Sequence, residues 1–248
     1  MRLPALQGLI RRRLLINFRA DPAIIAALLP KPLRPKRHGD FALVGICLIR
    51  LEAIRPDGWP AWCGLSSENA AHRIAVEWDG PQGPAEGVYI PRRHTSSWLN
   101  HRAGGVLFPG EQKRAAFKVA DGAGQISLDL RSADGETQVR LEAREADQLP
   151  TGSCFATLAA SSAFFQAGST GYSATTGGRK ADGLRLDAER WQVRPLEVAS
   201  VRSSFFEDTA AFPAGSLAFD HALIMRDIPH RWHAVPDLAL GAQGRTVA

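Results

Sequence analysis

Hydrophobic and polar residues alternate along much of the chain, and this period of two predicts a protein built mainly from β-strands. The first such segment, from Arg12 to Arg19, alternates apolar and polar side chains as a half-buried strand does. The segment from Phe41 to Ile54 is longer and mostly apolar, which is typical of a strand buried on both faces. Gly45 within it predicts a bulge or the close approach of another backbone.

The middle of the chain continues this alternation, with further predicted strands at 73–78, 88–90 and 113–119. The strongest hairpin signal is Asp134-Gly135, which separates alternating segments at 126–130 and 137–143. Two later segments, 191–206 and 217–225, are also predicted as strands.

Helical periodicity is confined to short segments. Asp21 is a suitable N-cap and Pro22 a suitable first residue for a helix that Pro30 ends. Between 153 and 166 apolar residues recur at helical spacing, and Gly168 is placed as a C-terminal cap. We find no repeat and no linker between different compositions, so the pattern predicts a single α+β domain over residues 1–248 with a mostly antiparallel sheet.

The composition is that of an ordinary globular protein, with 45% hydrophobic and 22% charged residues. Neither disorder nor a fibrous repeat is indicated. Much of the net charge of +5 comes from basic residues between positions 11 and 37. Because stacking aromatic residues are not interleaved with these cations in the way that single-strand nucleic acid binding requires, we predict no nucleic acid partner. A solvated basic surface or a cavity that attracts small anions explains the charge better.

The cysteines, Cys47, Cys63 and Cys154, are odd in number and widely spaced, which favours neither a disulfide framework nor a thiolate metal cluster. This usage indicates a reducing compartment. The first residues lack a long apolar stretch, and no segment reaches the eighteen or so apolar residues of a membrane helix. We therefore expect a cytoplasmic protein with no membrane partner.

Lys113 and Arg114 stand side by side where a strand is predicted to begin. The alternation places Lys113 on the same face as Ala115 and Phe117, with Arg114 on the opposite face. A lysine buried near a second cation has a lowered pKa, and its neutral amine can form a Schiff base with a carbonyl. A solvated lysine on an edge strand is the other interpretation.

Three further groups of residues bear on chemistry. Arg92 or Arg93 can bind the carboxylate of an acidic substrate through paired hydrogen bonds. Glu68 and His72 are four residues apart and could share a helix face as metal ligands, but two ligands do not complete a metal site. We predict no metal and no other cofactor. The chain has no Gly-x-Ser-x-Gly motif and its histidines have no evident nucleophile partner, so a serine hydrolase is not expected.

In sequence order, several segments resemble acetoacetate decarboxylase and its superfamily, and above all the YqjF-like branch of that superfamily. The segment from Arg11 to Asp21, with Leu29-Pro30-Lys31-Pro32-Leu33 behind it, is similar to the opening strand, helix and turn of that family. Tyr89 to Arg93 and Phe108 to Val119 are similar to the segment around its Schiff-base lysine. Phe219-Asp220-His221-Ala222 and Asp227-Ile228-Pro229 are similar to its closing strand.

The resemblance implies a cone-shaped or barrel-like sheet around a cavity, short helices outside it, and homo-oligomers. It implies that Lys113 is the imine-forming lysine and that Arg114 lowers its pKa. Glu68 corresponds to a cavity glutamate that moves protons, and Arg11 to an arginine at the floor of the cavity. Either Arg11 or Arg92 would bind the carboxylate of the substrate.

Two hypotheses about function follow. The first is an enzyme that acts on a small oxo acid or other carbonyl compound through a Schiff base, in decarboxylation, aldol or dehydration chemistry. The second is a non-catalytic protein that binds a small ligand in the same cavity. In both, the partner is a small carbonyl or carboxylate compound.

Overall fold

The computed structural model describes residues 5–102 and 110–241. Within these residues, thirteen strands belong to one sheet, in which only the β6–β7 and β6–β10 pairs are parallel. The strands are β1 (Leu6–Ala20), β2 (Arg34–Pro35), β3 (Arg37–His38), β4 (Phe41–Pro56), β5 (Leu65–Gly80), β6 (Gly83–Thr95), β7 (Gln112–Gly122), β8 (Gln125–Ser132), β9 (Gln138–Glu145), β10 (Thr170–Ala174), β11 (Lys180–Ala188), β12 (Arg194–Ser203) and β13 (Leu217–Ala239). The helices are α1 (Pro22–Leu28), α2 (Trp98–Arg102) and α3 (Leu158–Ala167), with a 3-10 turn at Ala61–Cys63.

The sheet closes into two rings that share strands. The larger ring runs through β6, β7, β8, β9, β12, β13, β1, β4 and β5, and the β5–β6 pairing closes it. The smaller ring runs through β11, β10, β6, β5, β4, β1 and β13, and the β11–β13 pairing closes it. Five strands, β13, β1, β4, β5 and β6, therefore belong to both rings. We call these five strands the shared wall.

Side chains of the shared wall alternate between the two rings, because successive residues of a strand point to opposite faces. Leu14 and Ile16 belong to the main core, whereas Leu15 between them belongs to a second cluster with Cys47. A shift of one residue along a wall strand thus moves a side chain from one ring to the other.

The close backbone approach predicted at Gly45 is confirmed. A Cβ atom at this position would lie 2.2 Å from the carbonyl oxygen of Ile16 on β1. No register shift occurs at Gly45 itself, and the irregularity in the β4–β5 pairing falls between Leu51 and Ile54 instead. Ala53, within that irregular stretch, has a φ of 53°.

The predicted α+β class is confirmed, with its mostly antiparallel, closed sheet and short helices. β8 and β9 form the hairpin predicted around Asp134-Gly135. Helix α1 begins as expected, since Asp21 Oδ1 accepts a hydrogen bond from Ala23 N at 2.7 Å. The segment from Phe108 to Val119 resembles the Schiff-base lysine segment of the family, and its first two residues, Phe108 and Pro109, lie outside the described residues.

One helical expectation is wrong, because Glu68 and His72 lie on β5 and not on a helix. In the part of the chain that the structure describes, no helix is long and apolar enough to span a bilayer.

Candidate functional site

The smaller ring encloses a cavity of about 260 Å³ on its side of the shared wall. This volume is near the lower end of the range for small-molecule sites. Its lining is mainly apolar, with contributions from Ile49, Ile90 and Leu184. Leu65 and Leu99 also line the cavity and are about half exposed, so they mark its mouth.

Four arginines line this cavity: Arg13, Arg55, Arg73 and Arg93. Among the described residues, the lining includes neither a carboxylate nor a lysine. An apolar cavity with several cations and no acidic side chain has an electrostatic potential that favours an anion.

Arg73 is the most deeply buried of these arginines, with 4% of its surface exposed. One of its Nη atoms donates to Asn17 Oδ1, and its guanidinium stacks over the ring of Phe165 at 4.7 Å from the centroid. Its Nε is buried and has no hydrogen-bond partner. Burial lowers the pKa of Arg73 to about 10, and no carboxylate opposes this effect. The protein thus holds a buried cation whose counter-anion it does not supply.

Arg93 and Arg13 flank the same space with similar partners. Arg93 Nε donates to Ser173 Oγ at 2.8 Å, and burial lowers the pKa of Arg93 to about 10. Arg13 Nε donates to Cys47 Sγ at 3.4 Å. Neither arginine forms an ion pair with a carboxylate in the described residues. Guanidinium groups with unused donors are suited to bind a carboxylate or a phosphate.

A hydrogen-bonded chain behind the wall fixes Asn17, the partner of Arg73. Asn17 Nδ2 contacts His221 Nε2 at 3.2 Å, and His221 Nδ1 donates to Asp220 Oδ2 at 2.5 Å. Although burial opposes it, the hydrogen bonds from His221 and Cys154 N lower the pKa of Asp220 to about 2. The amide of Asn17 is therefore held with its oxygen toward Arg73.

Ser161 Oγ lies 2.7 Å from His221 Nε2, so serine, histidine and aspartate stand in the order of a catalytic triad. The expectation that no histidine has a nucleophile partner is wrong in this respect. Ser161 and His221 are both fully buried, however. No substrate can reach the hydroxyl in this arrangement, and the group serves to anchor α3 and Asn17.

The opposite side of the shared wall has a cluster of paired charges. Arg12 Nη2 donates to Glu68 Oε2 at 2.7 Å, and Arg12 Nη1 lies 3.5 Å from Asp121. Arg226 pairs with Asp121 at 2.8 Å and with Glu145 at 3.0 Å. Glu68 is therefore bound to an arginine inside the larger ring and does not line the cavity.

Lys113 also lies away from the cavity lining. Its Nζ contacts Asp134 Oδ2 at 2.8 Å and Glu136 Oε2 at 2.5 Å, and about a third of the side chain is exposed. The hydrogen bonds to Asp134 and Glu136 raise the pKa of Lys113. The lowered pKa expected for Lys113 is thus not what this geometry produces. The alternation predicted along β7 is nevertheless present, since Ala115 faces the core.

The other expected site residues are dispersed. Arg114 is half-buried and does not contribute to the pKa of Lys113. Arg11 is half exposed and pairs with Glu52 at 3.0 Å and Asp227 at 2.5 Å. Arg92 donates to Thr137 Oγ1 at 2.9 Å, on the side opposite to the cavity. None of Lys113, Arg114, Glu68, Arg11 and Arg92 lines the cavity of the smaller ring.

His94 lies at the border between the two sides. It lines the cavity, and it is paired in register with Lys113 of β7. Both of its ring nitrogens are buried and have no hydrogen-bond partner. Burial, with a contribution from the charge of Arg92, lowers the pKa of His94 to about 4. In the described residues, no three His, Cys, Asp or Glu side chains are grouped to hold a metal ion.

A known protein family matches most of the chain. Residues 9–223 match the DUF2071 family, described as an uncharacterized conserved protein (COG2071). The chain belongs to this family. No curated protein matches it.

Solved structures similar to this DUF2071 protein are acetoacetate decarboxylase-like enzymes. An acetoacetate decarboxylase from Legionella pneumophila matches with a TM-score of 0.59 and 10% identity, over 97% of this chain and 88% of the other. An acetoacetate decarboxylase-like enzyme from Sphingomonas wittichii matches with a TM-score of 0.58 and 14% identity, over 94% and 92%. The likeness establishes an acetoacetate decarboxylase-like fold.

A third similar structure is the enduracididine biosynthesis enzyme MppR, in complex with the condensation product of pyruvate and imidazole 4-carboxaldehyde. It matches with a TM-score of 0.60 and 12% identity, over 96% of this chain and 90% of the other. Proteins of this fold therefore include one that binds small organic molecules derived from an oxo acid.

Proposed function

We propose that this DUF2071 protein binds a small organic carboxylate in the cavity of the smaller ring. The observation that carries the proposal is Arg73, a buried cation on the cavity wall with no carboxylate partner and an unused Nε donor. A ligand carboxylate would provide the missing anion, and Arg93 is positioned as a second donor. The ligand's carbon skeleton would contact the apolar lining.

The charges of the side chains that line the cavity favour an acidic ligand over a neutral or basic one. A cation would meet four arginines and no acidic side chain in the lining. The oxygen of a neutral amide can accept a hydrogen bond from Arg73, but it brings no negative charge to offset the buried cation, so the ion-pair attraction is missing. An anion would also restore the pKa of Arg73 and Arg93 toward the ordinary range, because an opposite charge favours the charged form.

A thermal-shift screen tests this proposal. Small oxo acids and simple carboxylic acids would be compared, each beside its primary amide as a matched neutral control. The acids should raise the melting temperature in a concentration-dependent way, because a ligand that binds the folded state stabilises it. The amides should have little effect. Equal shifts for acids and amides, or no shift with any acid, would remove the proposal.

A second candidate function is carbonyl chemistry through a Schiff base at Lys113, with Arg114 as its neighbour, Glu68 as a proton carrier and Arg11 or Arg92 as carboxylate partners. One observation favours it: Gln112 and His94, the chain neighbour and strand partner of Lys113, both line the cavity. The ammonium would first have to leave Asp134 and Glu136 and lose a proton, because only the neutral amine attacks a carbonyl.

Borohydride reduction in the presence of small oxo acids and ketones tests this candidate. Peptide mapping should locate a reduced adduct on Lys113 if the imine forms, and Lys113→Ala should abolish it. Lys118, on the same strand, provides a matched control as Lys118→Ala. The absence of any adduct on folded protein that binds the same acid would leave carboxylate binding without imine chemistry.

A further inference from the structure

A thiol lies among the cavity arginines. Cys47 is on β4, lines the cavity and is 8% exposed. Its register partners in the shared wall are Leu15 on β1 and Ala71 on β5, and Ala71 is in turn paired with Arg93 on β6. Arg13 Nε donates to the sulfur at 3.4 Å. Cys47 thus occupies the middle of the wall between its cationic side chains.

The electrostatic surroundings of this sulfur are cationic. Arg13 donates a hydrogen bond to it, and Arg73 and Arg93 line the same cavity. A cysteine sulfur can attack an electrophilic carbon, and the surrounding guanidinium groups attract an anionic electrophile toward it. The unpaired Nε of Arg73 and the two unpaired nitrogens of His94 are independent signs that this space is built for a polar ligand.

The other two cysteines of the chain have different environments. Cys63 belongs to the 3-10 turn and its thiol donates to the carbonyl oxygen of Pro60 at 2.9 Å. Burial and the charge of Asp220 raise the pKa of Cys154 to about 12. Neither residue lines the cavity. Both therefore serve as internal references within the same molecule.

We infer that Cys47 is a nucleophile of the cavity, which reacts with an electrophilic carbon of the carboxylate ligand held by Arg73 and Arg93. The inference rests on the proposed carboxylate binding. With a 2-oxo acid, the sulfur bonds to the carbonyl carbon, the C=O π bond breaks, and the oxygen takes the proton released by the thiol. The product is a hemithioketal, and no oxidant, reductant or leaving group is needed.

Alkylation by iodoacetate and iodoacetamide tests the inference, because the two reagents have similar size and differ in charge. In both, the sulfur displaces iodide from a methylene carbon. Rates at each cysteine would be measured by peptide mapping of the folded protein. We expect the ratio of the iodoacetate rate to the iodoacetamide rate to be at least about tenfold higher at Cys47 than at Cys63. Arg93→Met should lower this ratio, and excess acetate should protect Cys47 without any mutation.

A Cys47 that reacts only after denaturation, or with the same ratio as Cys63, would overturn the inference. Carboxylate binding to Cys47→Ser separates this failure from failure of the proposed function. If the serine variant and the wild type bind acids equally while the native thiol stays unreactive, carboxylate binding stands and the nucleophile does not. If the wild type binds no acid in the thermal-shift screen, the proposed function fails first.

Discussion

Arginines project from both sides of the shared wall. Those inside the larger ring are paired with carboxylates, whereas, in the part of the chain that the structure describes, Arg73 and Arg93 on the cavity side are not. Arg12, inside the larger ring, pairs with Glu68 and Asp121, and Arg226 pairs with Asp121 and Glu145. On the cavity side, neither Arg73 nor Arg93 has a carboxylate partner in the described residues. Arg12 and Arg13 are chain neighbours, so a single step along β1 separates the two arrangements.

This difference separates a structural role from a binding role. Inside the larger ring the protein itself supplies the anions, so the charges are satisfied without a ligand. On the cavity side the cost of desolvating Arg73 is not offset by a protein anion. A buried unpaired charge is rare in folded proteins and often marks a functional site. Four variants test whether the two sides differ in this way.

Glu68→Leu should have the largest effect on stability. It leaves Arg12 inside the larger ring with only its longer contact to Asp121. Removing one partner of a buried ion pair costs about 3 kcal/mol or more. Urea unfolding would measure the loss, and the double variant Arg12→Met with Glu68→Leu should recover much of it. A single variant as stable as the wild type would mean that the cluster contributes nothing.

His94 should make stability depend on pH. Its pKa is lowered to about 4 in the folded protein, whereas an unfolded histidine titrates near 6.5. Between these values the unfolded chain binds a proton that the folded chain does not, so stability falls as the pH falls below 6.5. At pH 5 the loss should be about 2 kcal/mol from this residue.

The pH effect would be measured as the difference between unfolding free energies at pH 7 and pH 5. In His94→Leu this difference should shrink by the stated amount, because the titrating group is gone. A bound carboxylate should also reduce it, since a nearby anion raises the pKa of His94. An unchanged pH difference in His94→Leu would show that His94 is not the group responsible.

Ser161→Ala should have a smaller effect, a loss of about 1 kcal/mol, typical of one buried hydrogen bond. The hydroxyl supports His221 and, through it, Asn17 and Arg73. A fluorophosphonate that labels serine nucleophiles should not react with the folded protein, because Ser161 is fully buried. Stoichiometric labelling at Ser161 would contradict the anchoring role and indicate access to a working triad.

Arg73→Met should change stability least, by less than about 1 kcal/mol in either direction. Removing the buried cation relieves its desolvation, while Asn17 Oδ1 loses its donor. The two effects oppose each other, unlike the single loss in Glu68→Leu. Urea unfolding of the two variants side by side gives the comparison directly. A loss in Arg73→Met as large as that in Glu68→Leu would mean that the arginine is structural.

Much of the fold follows from local patterns in the sequence. The alternation along β1, the long apolar segment of β4 and the Asp134-Gly135 turn each depend on residues close together in the chain. Glycine at position 45 correctly indicated a close backbone approach. These features are local. The period of a strand and the backbone angles of a turn depend on neighbouring residues, so they can be predicted from the sequence.

The cavity was not predictable in the same way. Arg73 alternates with apolar residues of β5, so its sequence position resembles that of a residue on a solvent-exposed face. The guanidinium is buried by parts of the chain that are far away in sequence, because Phe165 of α3 lies over it and the smaller ring closes through the β11–β13 pairing. For Lys113, both the strand and the face of the strand that the side chain occupies were predicted. Its partners Asp134 and Glu136 come from the next hairpin, which the alternation of β7 alone does not reveal.

Carboxylate binding by Arg73 and Arg93 is tested most directly by a calorimetric titration of one carboxylate and its primary amide into the wild type, Arg73→Met and Arg93→Met. The acid is the one with the largest effect in the thermal-shift screen. We expect the wild type to prefer the acid over the amide, and each variant to lose about 10- to 100-fold in affinity for the acid alone. Equal affinity of the wild type for acid and amide, or unchanged affinity for the acid in both variants, would contradict carboxylate binding by the two arginines.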